Sequence, residues 1–206
     1  MSTKYLNKTF FQKGLLIFFC VLLPLFMLLV SYKIALHFAE LTPHQEIMLD
    51  FLLNKEQTQE QQSTEFNQLQ YTEPERAHLI DVKQVMEVMN HVFYSLLLVL
   101  TLIITYCRKD KEQLIKLSKY GGISVITVEL ILFLLVLISF KSSFTAFHYL
   151  FFPQGNWMFP VDSLLIQTFP VQFFVKISQT ILFQAFLGGI IFILISLYLK
   201  NESVRN

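Results

Sequence analysis

Four stretches of the chain, about 14–34, 89–106, 121–140 and 175–199, are almost unbroken in apolar residues, and the polar residues gather between them. A run of about 20 residues rising 1.5 Å each crosses a hydrocarbon core of ~30 Å, so each stretch is long enough to span a bilayer. Backbone N–H and C=O groups in lipid need partners within their own segment, and none of these runs has the ~10-residue alternation of barrel strands. The pattern therefore predicts an all-α integral membrane protein with four transmembrane helices in a single membrane domain, 1–206. Pro24, inside the first run, predicts a kink there.

The basic residues then orient the bundle. Arg108, Lys109, Lys111, Lys116 and Lys119 crowd the short link between runs two and three, Lys4, Lys8 and Lys13 precede run one, and Lys200 and Arg205 follow run four. By the positive-inside rule both termini are expected in the cytoplasm, with the connections 36–88 and 141–174 on the outer face of a plasma membrane. Run one also looks like the hydrophobic part of a secretory signal, but its length and the lack of a small-x-small site after it predict an uncleaved anchor.

The two outer loops differ in kind. The first begins semi-apolar, passes through a polar tract, Lys55 to Gln70, that reads as a solvated helix or a mobile arm, and re-enters a helix at one of two signals. Thr72 and Glu75 have capping-box spacing, and Asp81 with Gln84 offers a weaker version of it. Val82, Val85, Met86, Met89 and Val92 recur at helical spacing, which predicts an amphipathic segment lying on the membrane surface before run two. The second loop is dense in Phe, Tyr and Trp and carries Pro153, Pro160 and Pro170, so it cannot be one helix. Aromatics at this density predict an interfacial or re-entrant loop in the outer leaflet.

Composition narrows the chemistry. The chain is 54% hydrophobic and 15% charged with a formal net charge of +1, which gives no basic face for nucleic acid. Cys20 and Cys107 fall in or at the ends of apolar runs and predict no disulfide in the outer loops. No Gly-x-Ser-x-Gly, no phosphate-binding glycine loop and no outer cysteine nucleophile occurs, so nucleotide-dependent and common hydrolase functions are not expected. No cofactor is expected.

Five histidines, His37, His44, His78, His91 and His148, all fall in or near the outer loops. Imidazole takes and returns a proton near neutral pH. His148 sits in FHYLFF, where a polar ring among aromatics needs a partner or a task, although an interfacial histidine is often only a belt residue. His78 precedes Asp81 by three positions, which on a helix lets the carboxylate orient the ring. His37, His44 and His91 read as span ends or solvent-facing residues, and no His or Cys pair has metal-ligand spacing. Glu129, inside run three, is either a functional intramembrane acid or a residue hydrogen-bonded to Gln179, Gln184 or another helix.

Phe147 to Phe174, reading FHxxFF, NWxF, Asp162 with LI, and FPxxFF, together with ERAHLIDVK from Glu75 to Lys83, resembles the bacterial lipoprotein intramolecular transacylase family, Lit, and the likeness covers essentially the whole chain except the 55–70 tract. The resemblance implies a Gram-positive type of lipid-modifying acyltransferase acting on diacylated lipoproteins with a free N-terminal cysteine amine. It implies transfer of the sn-2 acyl chain to that amine, giving the lyso form. It further implies His148 and His78 as catalytic residues, with Asp81, Lys83 and Trp157 in support.

That chemistry agrees with the residues present. A neutral imidazole would take the proton of an α-ammonium of ordinary pKa ~7.7–8.0 and return it to the departing glyceryl oxygen. Attack by the amine passes through an eight-membered ring, so an acyl-histidine intermediate is an alternative. Lys83, the Trp157 N–H, Asn156 or loop amides are candidate oxyanion donors. The aromatic loop, with Phe147, Phe151 and Phe152 beside His148, is expected to exclude water and hold acyl chains from membrane lipid. Two other classes compete: a non-enzymatic assembly or sensor protein that docks through the 55–70 arm, and a small transporter built around Glu129, against which the lack of inverted repeats counts.

Overall fold

Apolar runs flanked by capping and charged residues fold here into helices, seven among the described residues, and no strand occurs among those residues. A computed structural model describes residues 3–53 and 70–205, with side chains from Phe10 onward. The helices are α1 (Thr3–His37), α2 (Pro43–Leu53), α3 (Glu73–Cys107), α4 (Lys111–Ile138), α5 (Phe140–Phe151), α6 (Leu164–Thr168) and α7 (Val171–Arg205). Four of them, α1, α3, α4 and α7, are long and apolar enough to cross a membrane, and α1 runs through Pro24 as one helix. The polar tract from Lys55 lies outside the described residues, apart from Gln70. The chain groups into two compact units, 1–37 with 92–134 and 179–206, and 38–91 with 135–178.

The first unit is a helical bundle. Its core joins Phe19 and Leu23 of α1, Leu100, Ile103 and Cys107 of α3, and Leu117 and Val125 of α4. Large side chains such as Phe10, Ile17 and Val21 stay exposed, as lipid-facing surfaces require. Lipid tails are as apolar as these side chains, so helix association depends on close packing. Two glycine pairs provide it. A Cβ on Gly122 would come within 2.7 Å of the Gly189 carbonyl oxygen, and one on Gly121 within 2.7 Å of Phe19. At one end Asp110 caps α4, accepting from the Gln113 N–H at 3.0 Å and from Gln12 Nε2 of α1 at 2.8 Å.

The second unit is held by a core and a polar network. Met48, Phe51 and Leu52 of α2 pack with Tyr71, Leu79 and Leu165. α2 opens with a capping box in which the Thr42 N–H donates to Gln45 Oε1 at 2.9 Å and Pro43 takes the first helical position. Gln45 also donates to the Thr168 carbonyl at 2.7 Å, which ties α2 to α6. The Thr72–Glu75 signal starts α3, with the Thr72 N–H donating to Glu75 Oε2 at 2.8 Å, so Asp81 is an internal helical residue and not a cap.

Two further expectations change. Val82 and Met86 pack on the Met48–Phe51 core, so the amphipathic face of α3 is covered by protein at those positions instead of resting on a membrane surface. The third spanning helix ends at Ile138, short of the expected 140, because Ser139 caps a new helix, its hydroxyl accepting from the Ser142 N–H at 3.3 Å.

Candidate active site

The site residues all lie in the second unit, on α3, α5 and the loop after α5. On α3, Glu75, His78 and Leu79 recur at helical spacing on a face that is 2%, 6% and 2% exposed. Glu75 fixes this segment. Its Oε2 takes the Thr72 N–H and hydroxyl at 2.8 and 2.7 Å, and its Oε1 takes the Leu165 N–H at the start of α6 at 2.8 Å. Burial alone would raise the Glu75 carboxyl, but the hydrogen bonds from Leu165, Thr72 and Ser163 outweigh it and hold the pKa below the ordinary value. Tyr71 closes the network with a 2.9 Å hydrogen bond to Thr168.

On α5, Phe140, Phe144, Phe147, His148 and Phe151 form an aromatic stripe at three- and four-residue spacing. His148 is 8% exposed, and its Nδ1 lies 2.8 Å from the Phe144 carbonyl. A carbonyl only accepts, so this contact places the proton on Nδ1 and leaves the lone pair on Nε2. The ring sits 4.0 Å from Phe144 and 4.8 Å from Trp157, centroid to centroid.

The loop after α5 completes the site. Gly155 has φ of 77°, a conformation that disfavours other residues, and its turn lets Gln154 and Asn156 both donate to Asp81 Oδ2, at 2.9 and 2.5 Å. Asp81 thus holds the loop onto α3, and its carboxylate is not hydrogen-bonded to the His78 ring. Phe152, 3% exposed, packs against both imidazoles, 4.9 Å from His78 and 5.6 Å from His148, and Phe159 covers His78 at 5.6 Å.

The two histidines from different loops meet. Their ring centroids are 6.3 Å apart with planes inclined by 28°, which leaves roughly the width of one reacting group between them. His78 lies outside the apolar stretch of α3 that begins near Met89. Burial first, and then its proximity to His148, push its pKa down from 6.5 to about 4, with Asp81 and Asn156 pulling the other way. Burial also lowers His148 against the effect of the Phe144 carbonyl. Both rings are therefore neutral at neutral pH and able to accept a proton.

Four buried polar atoms in this unit, His78 Nδ1, Lys83 Nζ, Asn156 Oδ1 and Trp157 Nε1, have no hydrogen-bond partner among the described residues. Buried polar groups are normally satisfied, so unpaired ones in this number point to a ligand. Asn156 donates one amide N–H to Asp81 and presents Oδ1 as a buried acceptor. Lys83 is about 140° around α3 from His78 at ~100° per residue, and its Nζ lies 4.5 Å above the Phe51 ring, away from the imidazole pair. Phe147 and Phe151 are partly exposed and pack on each other at 4.6 Å. His37, His44 and His91 are exposed.

Sequence reasoning missed Gln45 and Thr168, and saw Glu75 only as a cap. The Thr-Pro-x-Gln spacing of Thr42 to Gln45 was the available signal for the first. Phe159, a wall of the His78 pocket, was signalled only by its place in the aromatic loop.

The family model for lipoprotein intramolecular transacylase Lit matches residues 17–174. The solved in meso structure of the membrane-integral lipoprotein intramolecular transacylase Lit from Bacillus cereus is similar at 18% identity, with a TM-score of 0.72 over 96% of this chain and 100% of that one. A form of the same protein with one histidine changed to alanine gives 17% identity and a TM-score of 0.70, over 98% of this chain and 100% of that one. No curated protein sequence matches the chain significantly.

Proposed function

The chain belongs to the lipoprotein intramolecular transacylase family of membrane-integral acyltransferases, and from that premise we propose that it moves the sn-2 acyl chain of a diacylglyceryl lipoprotein to the α-amine of the N-terminal cysteine. The observation that carries this reading is the pair of buried imidazoles with ring centroids 6.3 Å apart, beside polar atoms that await a ligand.

His148 Nε2 is the base. It accepts a proton from the α-ammonium, and the freed amine attacks the sn-2 ester carbonyl. The Trp157 indole N–H is the donor for the oxygen that becomes negative, and Asn156 Oδ1 is an acceptor for the ammonium. When the carbonyl–oxygen ester bond breaks, the imidazolium returns the proton to the glyceryl oxygen. The attacking nitrogen sheds its remaining extra proton to solvent as the amide forms, and the sn-2 hydroxyl is released, so neutral amine and ester become amide and hydroxyl with no change in mass. His78 is the second ring at the reacting group, and its Nδ1 is open to it. Donor and acceptor belong to one molecule, so much of the rate comes from holding them together. The same Nε2 lone pair also suits an acyl-histidine route, which a trapped acyl-enzyme would reveal.

The basic link between α3 and α4 supports cytoplasmic termini and an extracytoplasmic site. Phe147 and Phe151 suit contact with acyl chains and bilayer lipid, while Phe152 and Phe159 exclude water from the rings.

The test is mass spectrometry of a lipoprotein's N-terminal lipopeptide from cells without other N-acylating enzymes. Wild type is expected to convert the free-amine form to an N-acylated form of unchanged mass, and His148→Ala is expected to leave the free amine while still inserting in the membrane. Normal product from His148→Ala, or a persistent free amine with wild type, would refute the proposal.

A further inference from the structure

A second set of unpaired buried polar atoms lies in the helical bundle, wholly within the first unit. Ser31 Oγ, Tyr32 Oη, both carboxylate oxygens of Glu129 and Gln184 Oε1 have no hydrogen-bond partner among the described residues, and Ser31 and Glu129 are each 1% exposed. The helix register puts them at one level. On α4 and α7, Gly189 lies against Val125 and Ile126, so Glu129, about one turn further along α4, falls opposite Ala185 and Gln184, one turn back along the antiparallel α7. On α1 and α7, Met27 lies against Gly188, and one turn away in the matching directions stand Ser31 and Gln184. On α1 and α4, Gly121 lies against Phe19 and Leu23, and about two turns on the parallel helices reach 27–31 and Glu129. The three contacts agree.

The charge at this level is unbalanced. Glu129 is the one Asp, Glu, Lys or Arg in 121–138 of α4, and none occurs in 14–32 of α1, 92–106 of α3 or 179–199 of α7. The other titratable groups of these stretches are Cys20, Tyr32, Tyr94, Tyr106 and Tyr198. Lys33, next on α1, is seated over the Phe93 and Tyr94 rings of α3, at 4.9 and 5.7 Å. A carboxylate that shares its level of an apolar bundle with the unpaired oxygens of Ser31 and Gln184 requires a positive charge to enter with it.

We propose that Ser31, Glu129 and Gln184 form a small-monocation site inside the bundle, with Glu129 as its counter-charge and a proton or a sodium ion as its occupant. Hydroxyl, carboxylate and amide oxygens suit both, and no nitrogen ligand is present to favour a transition metal. The site is independent of acyl transfer and acts through the stability of the bundle. Occupancy raises the stability of the folded state because the unfolded chain offers no such cage.

The experiment compares the melting temperature of the full chain in lipid nanodiscs with that of Glu129→Gln, which keeps the shape and removes the charge. NaCl is exchanged for choline chloride at constant ionic strength, and pH is varied from mildly acidic to alkaline. Wild type is expected to lose several degrees on removal of sodium if sodium is the occupant, or on raising the pH if a proton is, and Glu129→Gln is expected to lose that response. The histidines contribute equally to both proteins and cancel in the difference. Ser31→Ala, which changes no charge, is expected to weaken the same response and serves if the glutamine variant does not fold. Identical responses of wild type and the variants to sodium and to pH would overturn the proposal.

Discussion

The bundle and the histidine unit bury polar groups for different ends. In the unit of 38–91 and 135–178, Glu75, Gln45, Tyr71 and Thr168 are tied into a hydrogen-bonded frame, and unpaired atoms are concentrated on His78, Lys83, Asn156 and Trp157. In the bundle, glycine contacts hold the helices, and the unpaired atoms belong to one level around Glu129. A frame of satisfied groups keeps a reactive pair in place, whereas close backbone packing needs only small residues. Damage to the first should therefore appear in activity, and damage to the second in stability.

The sharpest division is expected from His78→Gln. Loss of a positioned acid–base group costs roughly 10²–10⁴-fold in rate, so acyl transfer measured by lipopeptide mass spectrometry should fall by about that factor. Stability should change in the opposite sense at low pH. The folded pKa of His78 lies below its unfolded value of 6.5, so the unfolded state binds the extra proton, and wild type loses stability as pH falls from 6.5 towards about 4. The glutamine variant should show less of that loss in its melting curve. Equal pH dependence in both proteins would show that the burial of His78 is not coupled to folding.

Gly122→Leu reverses the division. Its side chain must enter where a Cβ already meets the Gly189 carbonyl at 2.7 Å, and overpacking of this kind costs about 1–3 kcal/mol. The melting temperature should drop while the protein that remains folded keeps its rate per molecule. A variant that melts normally would break the claim that these glycines set the bundle.

Glu75→Gln sharpens the comparison with a smaller effect. The amide keeps one acceptor oxygen and places N–H groups at the other position, so the bond from either Thr72 or Leu165 is lost, at a cost of about 1–2 kcal/mol for a buried group. Because the Glu75 pKa is held below the ordinary carboxylate value, its stabilisation is present above the unfolded pKa and is lost as pH falls through the folded one. Wild type and Glu75→Gln should therefore converge in melting temperature at acid pH and differ at neutral pH.

Much of this was legible in the sequence for physical reasons. The spans were visible because lipid demands uninterrupted apolar helices, and the start of α3 because Thr72 and Glu75 have a spacing with one structural use. His148 stood out as a polar ring among aromatics. The meeting of His78 and His148 was not readable, since it depends on packing between segments far apart in sequence. Nor was the task of Asp81, whose helical spacing to His78 pointed to the ring while the Gly155 turn brings Gln154 and Asn156 to it instead. The covered face of Val82 and Met86 was misread because periodicity marks an apolar face without saying what covers it.

The central claim, intramolecular transfer at the histidine pair, is tested most directly with the purified protein in nanodiscs and a mixture of two diacyl lipopeptides. One carries isotopic label in both the peptide and the sn-2 chain, and the other carries none. N-acylated products are expected in which peptide and transferred chain are both labelled or both unlabelled, and no product is expected with His148→Ala. Mixed products, or N-acylation undiminished in His148→Ala, would contradict it.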